Sequence, residues 1–202
     1  MRPRSRSLPA RATGRGGSRE LTAVFFGGVV PPSLDEERLA EEIGAALAES
    51  GYGLLHGGYN GLMEAVARGA AAKGGAVTAV TLADKHAEWG AFNPHVTAEV
   101  RLPDLGARLN HYLGAADLVV AMGGGIGTLH ELAAALYYAG TIRPVPVWVT
   151  GPTALALLDF LKREKWLSET PTRPLGFLRP VASVPDFIAQ LHRLIHEREV
   201  SA

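Results

Sequence analysis

"VVAMGGGIGTLHELAAAL" runs from Val119 to Leu136. An apolar run passes into Gly123, Gly124 and Gly125, then Ile126, Gly127, Thr128 and a helical pattern that opens around Glu131. Such a run, broken by glycine and resumed as a helix, reads as the strand–turn–helix unit of an α/β protein. Glycines at the turn let backbone N–H groups approach a ligand with no Cβ in the way. The helix start adds unsatisfied N–H donors and a partial positive charge. Together they predict an anion site, most often for phosphate. Thr128 adds a hydroxyl donor. Glu131 lies about one turn further on, where the helix dipole favours an acid by ~0.3–1 kcal/mol. A carboxylate beside a phosphate repels it, so Glu131 is read as facing a sugar, where it binds hydroxyls or stabilises a cationic transition state.

The same unit recurs along the chain. Strands are predicted at 21–28, 52–56, 76–82, 97–102, 117–122 and 145–150. Helices are predicted at 33–50, 61–73, 104–116, 127–140, 153–166 and 186–199. Ser33 with Glu36 three residues on has the form of a capping box. Residues 83–96 lack a period and read as a loop over one end of the sheet. The stretch 167–185 holds four prolines and room for one short strand. The strands are apolar throughout rather than alternating, which indicates a sheet covered on both faces. The expected fold is a single doubly wound (Rossmann-like) α/β domain, a parallel sheet with helices on both faces. Its ligand belongs at the carboxyl ends of the strands, near the topological switch point. Three glycine turns fall at that edge: Gly27-Gly28, Gly57-Gly58 with Gly61, and Gly123–Gly125 with Gly127. "GGGIGT" lacks the lysine of a P-loop and comes too late in the chain for a dinucleotide fingerprint.

Composition narrows the function classes. The chain has 202 residues, 47% of them apolar and 20% charged, as in a soluble globular protein of one domain. Cysteine is absent, which excludes disulfides and thiolate metal sites and fits the cytoplasm. No apolar run approaches the ~20 residues of a membrane span. The segment "MRPRSRSLPARATGRGGSR" carries six arginines and no acid, and residues 1–20 read as a disordered basic tail ahead of a domain at 21–202. Without those first 19 residues the balance is 14 basic to 20 acidic residues, which argues against nucleic acid as the main partner. His192 and His196 are four residues apart on the last helix but have no acidic partner at motif spacing, so no metal is expected.

"GGYNGLMEAVARGAAAKGG" and "MGGGIGTLHEL" resemble the two signatures, GGGxxGLMG and PGGxGTxxE, of the Lonely Guy (LOG) family, whose members are often labelled lysine decarboxylases. The resemblance covers roughly residues 21–150 and includes "VFFGG" and the ungapped spacing from Arg108 to Glu131. It implies a phosphoribohydrolase that cleaves the N-glycosidic bond of a nucleoside 5′-monophosphate, AMP or N6-modified AMP, to base and ribose 5-phosphate. Arg108 and Glu131 would be the catalytic pair. Gly124, Gly125, Gly127 and Thr128 would hold the phosphate. Gly27, Gly28, Gly58, Asn60, Gly61, Met63 and Glu64 would line the nucleotide pocket. The resemblance also implies a homodimer or an assembly of dimers.

The chain departs from the family pattern. Its first signature is one residue shorter, Glu64 replaces that signature's last glycine, Gly123 replaces the proline of the second, and Leu109 replaces the lysine after the arginine. These changes favour the alternative of a non-catalytic nucleotide- or phosphorylated-ligand-binding carrier, whereas the Arg108/Glu131 pair favours the hydrolase. Lysine decarboxylation requires a lysine holding pyridoxal phosphate, and none of the four lysines lies in a glycine motif. No cofactor is called for. Trp89 and Phe92 stand out in the 83–96 loop as side chains able to stack on a base.

Overall fold

The computed structural model describes residues 20–201. The arginine-rich segment, and with it the reading of that stretch as a tail, lies outside the described residues. Seven strands form one parallel sheet: β1 (Leu21–Phe26), β2 (Tyr52–His56), β3 (Val77–Leu82), β4 (Ala98–Leu102), β5 (Leu118–Ala121), β6 (Val147–Thr150) and β7 (Leu178–Val181). Their spatial order is β4-β3-β2-β1-β5-β6-β7. The helices are α1 (Leu34–Glu49), α2 (Leu62–Ala72), α3 (His86–Trp89), α4 (Leu105–Ala115), α5 (Ile126–Thr141), α6 (Pro152–Arg163) and α7 (Val184–Ser201).

The doubly wound fold is as expected, and the side chains show why its strands are apolar at every position. Ala23 and Phe25 of β1 pack under α1, α2 and α7, while Val24 and Phe26 pack under α4, α5 and α6. Each face excludes water, so each side chain of a central strand gains from burial, by ~1.5–3 kcal/mol for a large apolar group. Helices α1 and α2 touch through glycine: a Cβ at Gly44 would fall 1.9 Å from the Val66 carbonyl oxygen, and one at Gly69 would fall 1.8 Å from that of Glu41.

Three local expectations are refined. The predicted loop at 83–96 contains the one-turn helix α3. The proline-rich stretch supplies β7, an edge strand, where Pro180 removes a donor at little cost. The capping box is only half formed. Ser33 Oγ accepts from the Glu36 N–H (3.1 Å), but the Glu36 side chain does not turn back on its own helix. It reaches α6, accepting from the N–H (3.0 Å) and hydroxyl (2.6 Å) of Thr153.

The chain runs outward from β1 to β4, then crosses back to place β5 on the other side of β1. Phe26 pairs with Ala121 at this switch point, and the glycine turns after both strands meet there. The Gly28 N–H donates to the Gly123 carbonyl (2.9 Å), which locks the two turns together.

Candidate active site

Helix starts at the carboxyl edge differ in what satisfies them. Ser33 caps α1, and Ser183 Oγ accepts from the Asp186 N–H in the first turn of α7. Asp104 caps α4, and Glu36 caps α6 from across the fold. Helices α2 and α5 start on Gly61 and Gly125 with no side-chain cap. At α2 the Leu62 N–H is taken by the Gly28 carbonyl (2.9 Å). The start of α5 is left open, so its first-turn N–H groups and dipole face the cavity with nothing to neutralise them.

The glycines around that start serve two purposes. A Cβ at Gly124 would fall 2.2 Å from Thr128 Oγ1 and 2.9 Å from the Gly28 nitrogen, so the protein's own packing demands glycine there. A Cβ at Gly125 or Gly127 would meet nothing within 4 Å. Neither residue has a positive φ. Glycine in a helix costs ~0.5–1 kcal/mol relative to alanine, and nothing in the protein requires it at 127. A backbone left bare toward a cavity suits close approach by a bound anion.

The cavity at this edge has a volume of about 470 Å³. Gly27, Gly28 and Val29 form one wall, Tyr59, Asn60, Met63 and Trp89 a second, and Gly125, Gly127, Thr128, Arg108 and Glu131 a third. Arg108, on α4, and Glu131, on α5, face each other with Nη2 and Oε1 3.5 Å apart. Arg108 is held in place: its Nε donates to the Val80 carbonyl (3.1 Å) and its Nη2 to Tyr112 Oη (3.2 Å). Tyr112, fully buried, donates in turn to the same carbonyl (3.1 Å). Burial pushes the Glu131 carboxyl up to about 7, against the opposing pull of the Arg108 charge. A carboxyl that titrates near neutrality is suited to hold or release a proton at working pH.

The second wall rests on a rigid turn. His56, at the end of β2, is fully buried, and its Nδ1 accepts the Gly58 N–H (2.8 Å). Burial lowers its pKa to about 3, so the ring stays neutral. Gly58 (φ +86°) and Gly61 (φ +71°) are left-handed, a conformation that favours glycine. Asn93 clamps the turn from outside, donating through Nδ2 to the Gly58 and Tyr59 carbonyls (3.0 Å each). Tyr59 shares a hydrogen bond with Thr81 (2.6 Å) and packs edge-on against Trp89, with ring centroids 5.7 Å apart.

Of the residues expected from sequence, Arg108, Glu131, Gly125, Gly127, Thr128, Gly27, Gly28, Asn60 and Met63 line this cavity. Gly124 lies behind the rim, in a groove between α5 and α6. Gly58 and Gly61 shape the turn rather than the wall. Glu64 opens onto a neighbouring hollow with Asn60, Trp89 and Phe92. Tyr59, Val29 and the Tyr112 clamp escaped the sequence reading. Among the described residues, no group of three or more His, Asp or Glu side chains is placed to hold a metal ion.

The model of the SLOG cluster4 family matches residues 23–154, from β1 into the first turn of α6. The chain belongs to the SLOG cluster4 family. The matched stretch contains every cavity-lining residue named above. The resemblance to Lonely Guy proteins therefore holds at the level of family and fold. An uncharacterized protein of Archaeoglobus fulgidus is 41% identical over 106 residues, which are 50% of this chain and 66% of that protein. Among solved structures, the molybdenum cofactor carrier protein of Chlamydomonas reinhardtii superposes with a TM-score of 0.66 at 23% identity, over 88% of this chain and 99% of its own. A molybdenum cofactor binding protein of Rippkaea orientalis gives 0.66 at 23%, covering 89% and 99%. The protein TM1055 gives 0.64 at 26%, covering 86% and 99%. The molybdenum cofactor proteins attest the fold alone at these identities.

Proposed function

We propose that this SLOG protein hydrolyses the N-glycosidic bond of a nucleoside 5′-monophosphate, AMP or an N6-modified AMP, to free base and ribose 5-phosphate. The carrying observation is the Arg108–Glu131 pair, 3.5 Å apart, one helical turn beyond the uncapped start of α5. The 5′-phosphate sits on the N–H groups of Gly125, Gly127 and Thr128, with Gly124 packed behind them against Thr128 and Gly28. The ribose lies against Glu131, and the base against Trp89 and Tyr59. Glycoside cleavage builds positive charge on the sugar, and an ionised carboxylate in a dry site stabilises that charge. Glu131 takes a proton from the attacking water, whose oxygen bonds to the anomeric carbon. The bonding pair of the C–N bond leaves with the base, which takes up the proton passed on by Glu131, so the carboxylate is regenerated. Arg108, pinned by Val80 and Tyr112, fixes the carboxylate's position and charge.

The deciding experiment incubates the protein with a panel of nucleoside monophosphates and follows free base by chromatography, beside Glu131→Ala. Release by the wild type and loss in the variant support the hydrolase. Tight binding of AMP without release from any substrate refutes it.

A second reading is a carrier that holds a phosphorylated planar ligand without turnover. Its support is the likeness in fold to chains named as molybdenum cofactor carrier or binding proteins. The aromatic wall and the open α5 start serve such a ligand equally well, and binding without base release would favour it. The exposed side chains of Leu105 on α4, Tyr137 on α5 and Ile142 at the C-cap of α5 support a homodimer or an assembly of dimers. No helix among the described residues is long and apolar enough to cross a membrane.

A further inference from the structure

Behind the glycine turn lies a second basin of about 400 Å³, between α5 and α6. Gly125 and Thr128 line both this basin and the main cavity. A phosphate group on the α5 start would therefore have the main cavity on one side of the turn and this basin on the other.

The character of this basin is set by three features. Its walls are apolar: Met122, Ile126, Leu129, Leu132, Ala154 and Leu157. Ile126 stands 82% exposed at its mouth, and Leu129 37%. The start of α6, which would otherwise offer a second anion site, is already neutralised. Glu36, itself 2% exposed, takes both the N–H and the hydroxyl of Thr153. The other Glu36 oxygen has no hydrogen-bond partner and lies 2.9 Å from where a Cβ on Gly123 would stand. A carboxylate behind the floor and a spent hydroxyl both disfavour a second charged group. They leave an apolar one as the suitable occupant.

We propose that the anion held at the α5 start is a phosphodiester: a nucleoside 5′-phosphate whose second ester oxygen carries an apolar alkyl or aryl group lodged between α5 and α6. This rests on the nucleotide reading above and changes its phosphate from monoester to diester, so the sugar product would be a ribose 5-phosphodiester. It also accounts for Gly123 in place of the proline of the LOG signature. Any side chain at 123 would meet Glu36, Pro32 and Thr153, each at 2.9 Å, and so displace the carboxylate that keeps the α6 start closed to anions.

The test is calorimetric titration of AMP and of its n-hexyl phosphodiester into full-length protein carrying Glu131→Gln, which suppresses turnover. Each methylene removed from water strengthens binding roughly fourfold. The ester is therefore expected to bind at least tenfold more tightly than AMP, even if only part of the chain is covered. Leu129→Gln and Leu157→Gln, each checked for an intact melting transition, are expected to erase that advantage and leave AMP affinity as it was. Neutral replacements keep the charge around the turn constant, and two sites keep the test decisive if one variant does not fold. AMP binding with the ester equal or weaker overturns the phosphodiester and spares the nucleotide reading. So does an ester advantage that survives both variants. Failure of both ligands overturns the two readings together. If Leu129→Gln instead splits an oligomer in sedimentation velocity with no effect on the ester, the basin is an interface between copies of this chain and the proposal falls.

Discussion

Replacing Glu131 by glutamine is expected to stabilise the protein in neutral and alkaline solution while abolishing base release. In the unfolded chain this carboxyl titrates near 4.5, and in the folded protein burial raises it to about 7 even with Arg108 opposite. The fold therefore favours the neutral acid. Its contribution is complete below pH 4.5 and is lost as pH rises through 7. Above that, holding an ionised Glu131 costs about 3 kcal/mol relative to a group that never ionises. Glutamine has nearly the same shape and does not titrate. In a chain of this size 1 kcal/mol moves Tm by roughly 2–4 °C, so the Tm gap between variant and wild type should widen by roughly 6–12 °C between pH 4.5 and pH 8.5. The assay is differential scanning calorimetry of both proteins across that range. If the ionised carboxylate is the working form, wild-type base release climbs over the same window, with an apparent pKa near 7. Stability and activity then move in opposite directions with pH. A Tm gap independent of pH refutes the buried, raised carboxyl, and a flat pH–rate profile refutes its catalytic use.

Three further outcomes are expected. In Gly28→Ala the new Cβ would fall 2.7 Å from the backbone Cα of Gly124, which has no side chain to swing away. The two turns should be forced apart at a cost of about 1–3 kcal/mol, read by thermal melting, with a larger proportional loss of AMP affinity in calorimetry. Tyr112→Phe removes the hydroxyl shared by Arg108 and the Val80 carbonyl and should cost about 1 kcal/mol of stability. Its kcat should drop several-fold with KM nearly unchanged, whereas a raised KM with kcat unchanged would assign Tyr112 to binding. His56 is held neutral with its pKa lowered from 6.5 to about 3, so its contribution is present above pH 6.5 and lost as pH falls toward 3. Urea unfolding midpoints of His56→Gln should therefore fall less steeply than the wild type's between pH 6.5 and 4, and parallel curves would contradict the buried neutral ring.

Much of this molecule is legible from sequence because the deciding interactions are local. Strand and helix periods alternate, glycines punctuate the strand ends, and parallel order follows from strands apolar on both faces. The spacing from Arg108 to Glu131 carries the candidate pair even before it is known that the two side chains meet. What escaped depends on residues far apart in the chain. Glu36 has the sequence form of a capping-box acid, but its carboxylate serves Thr153, 117 positions away. Residue 123 is the family's proline position, and only the crowding of Pro32, Glu36 and Thr153 explains why it is glycine here. Trp89 had no periodicity to place it, and it becomes a cavity wall because α3 sets it against Tyr59.

The doubly wound α/β fold, the sheet edge that carries the candidate site and the residue types gathered there can be read from the amino-acid order alone. Those follow from hydrophobic period and backbone freedom, which are properties of short stretches. Which helix start stays uncapped, how far the Glu131 carboxyl is pushed toward neutrality, and the presence of a second, apolar basin beside the glycine turn are settled by packing in three dimensions. Capping across the fold, desolvation and cavity shape arise from atoms that meet only when distant segments pack together.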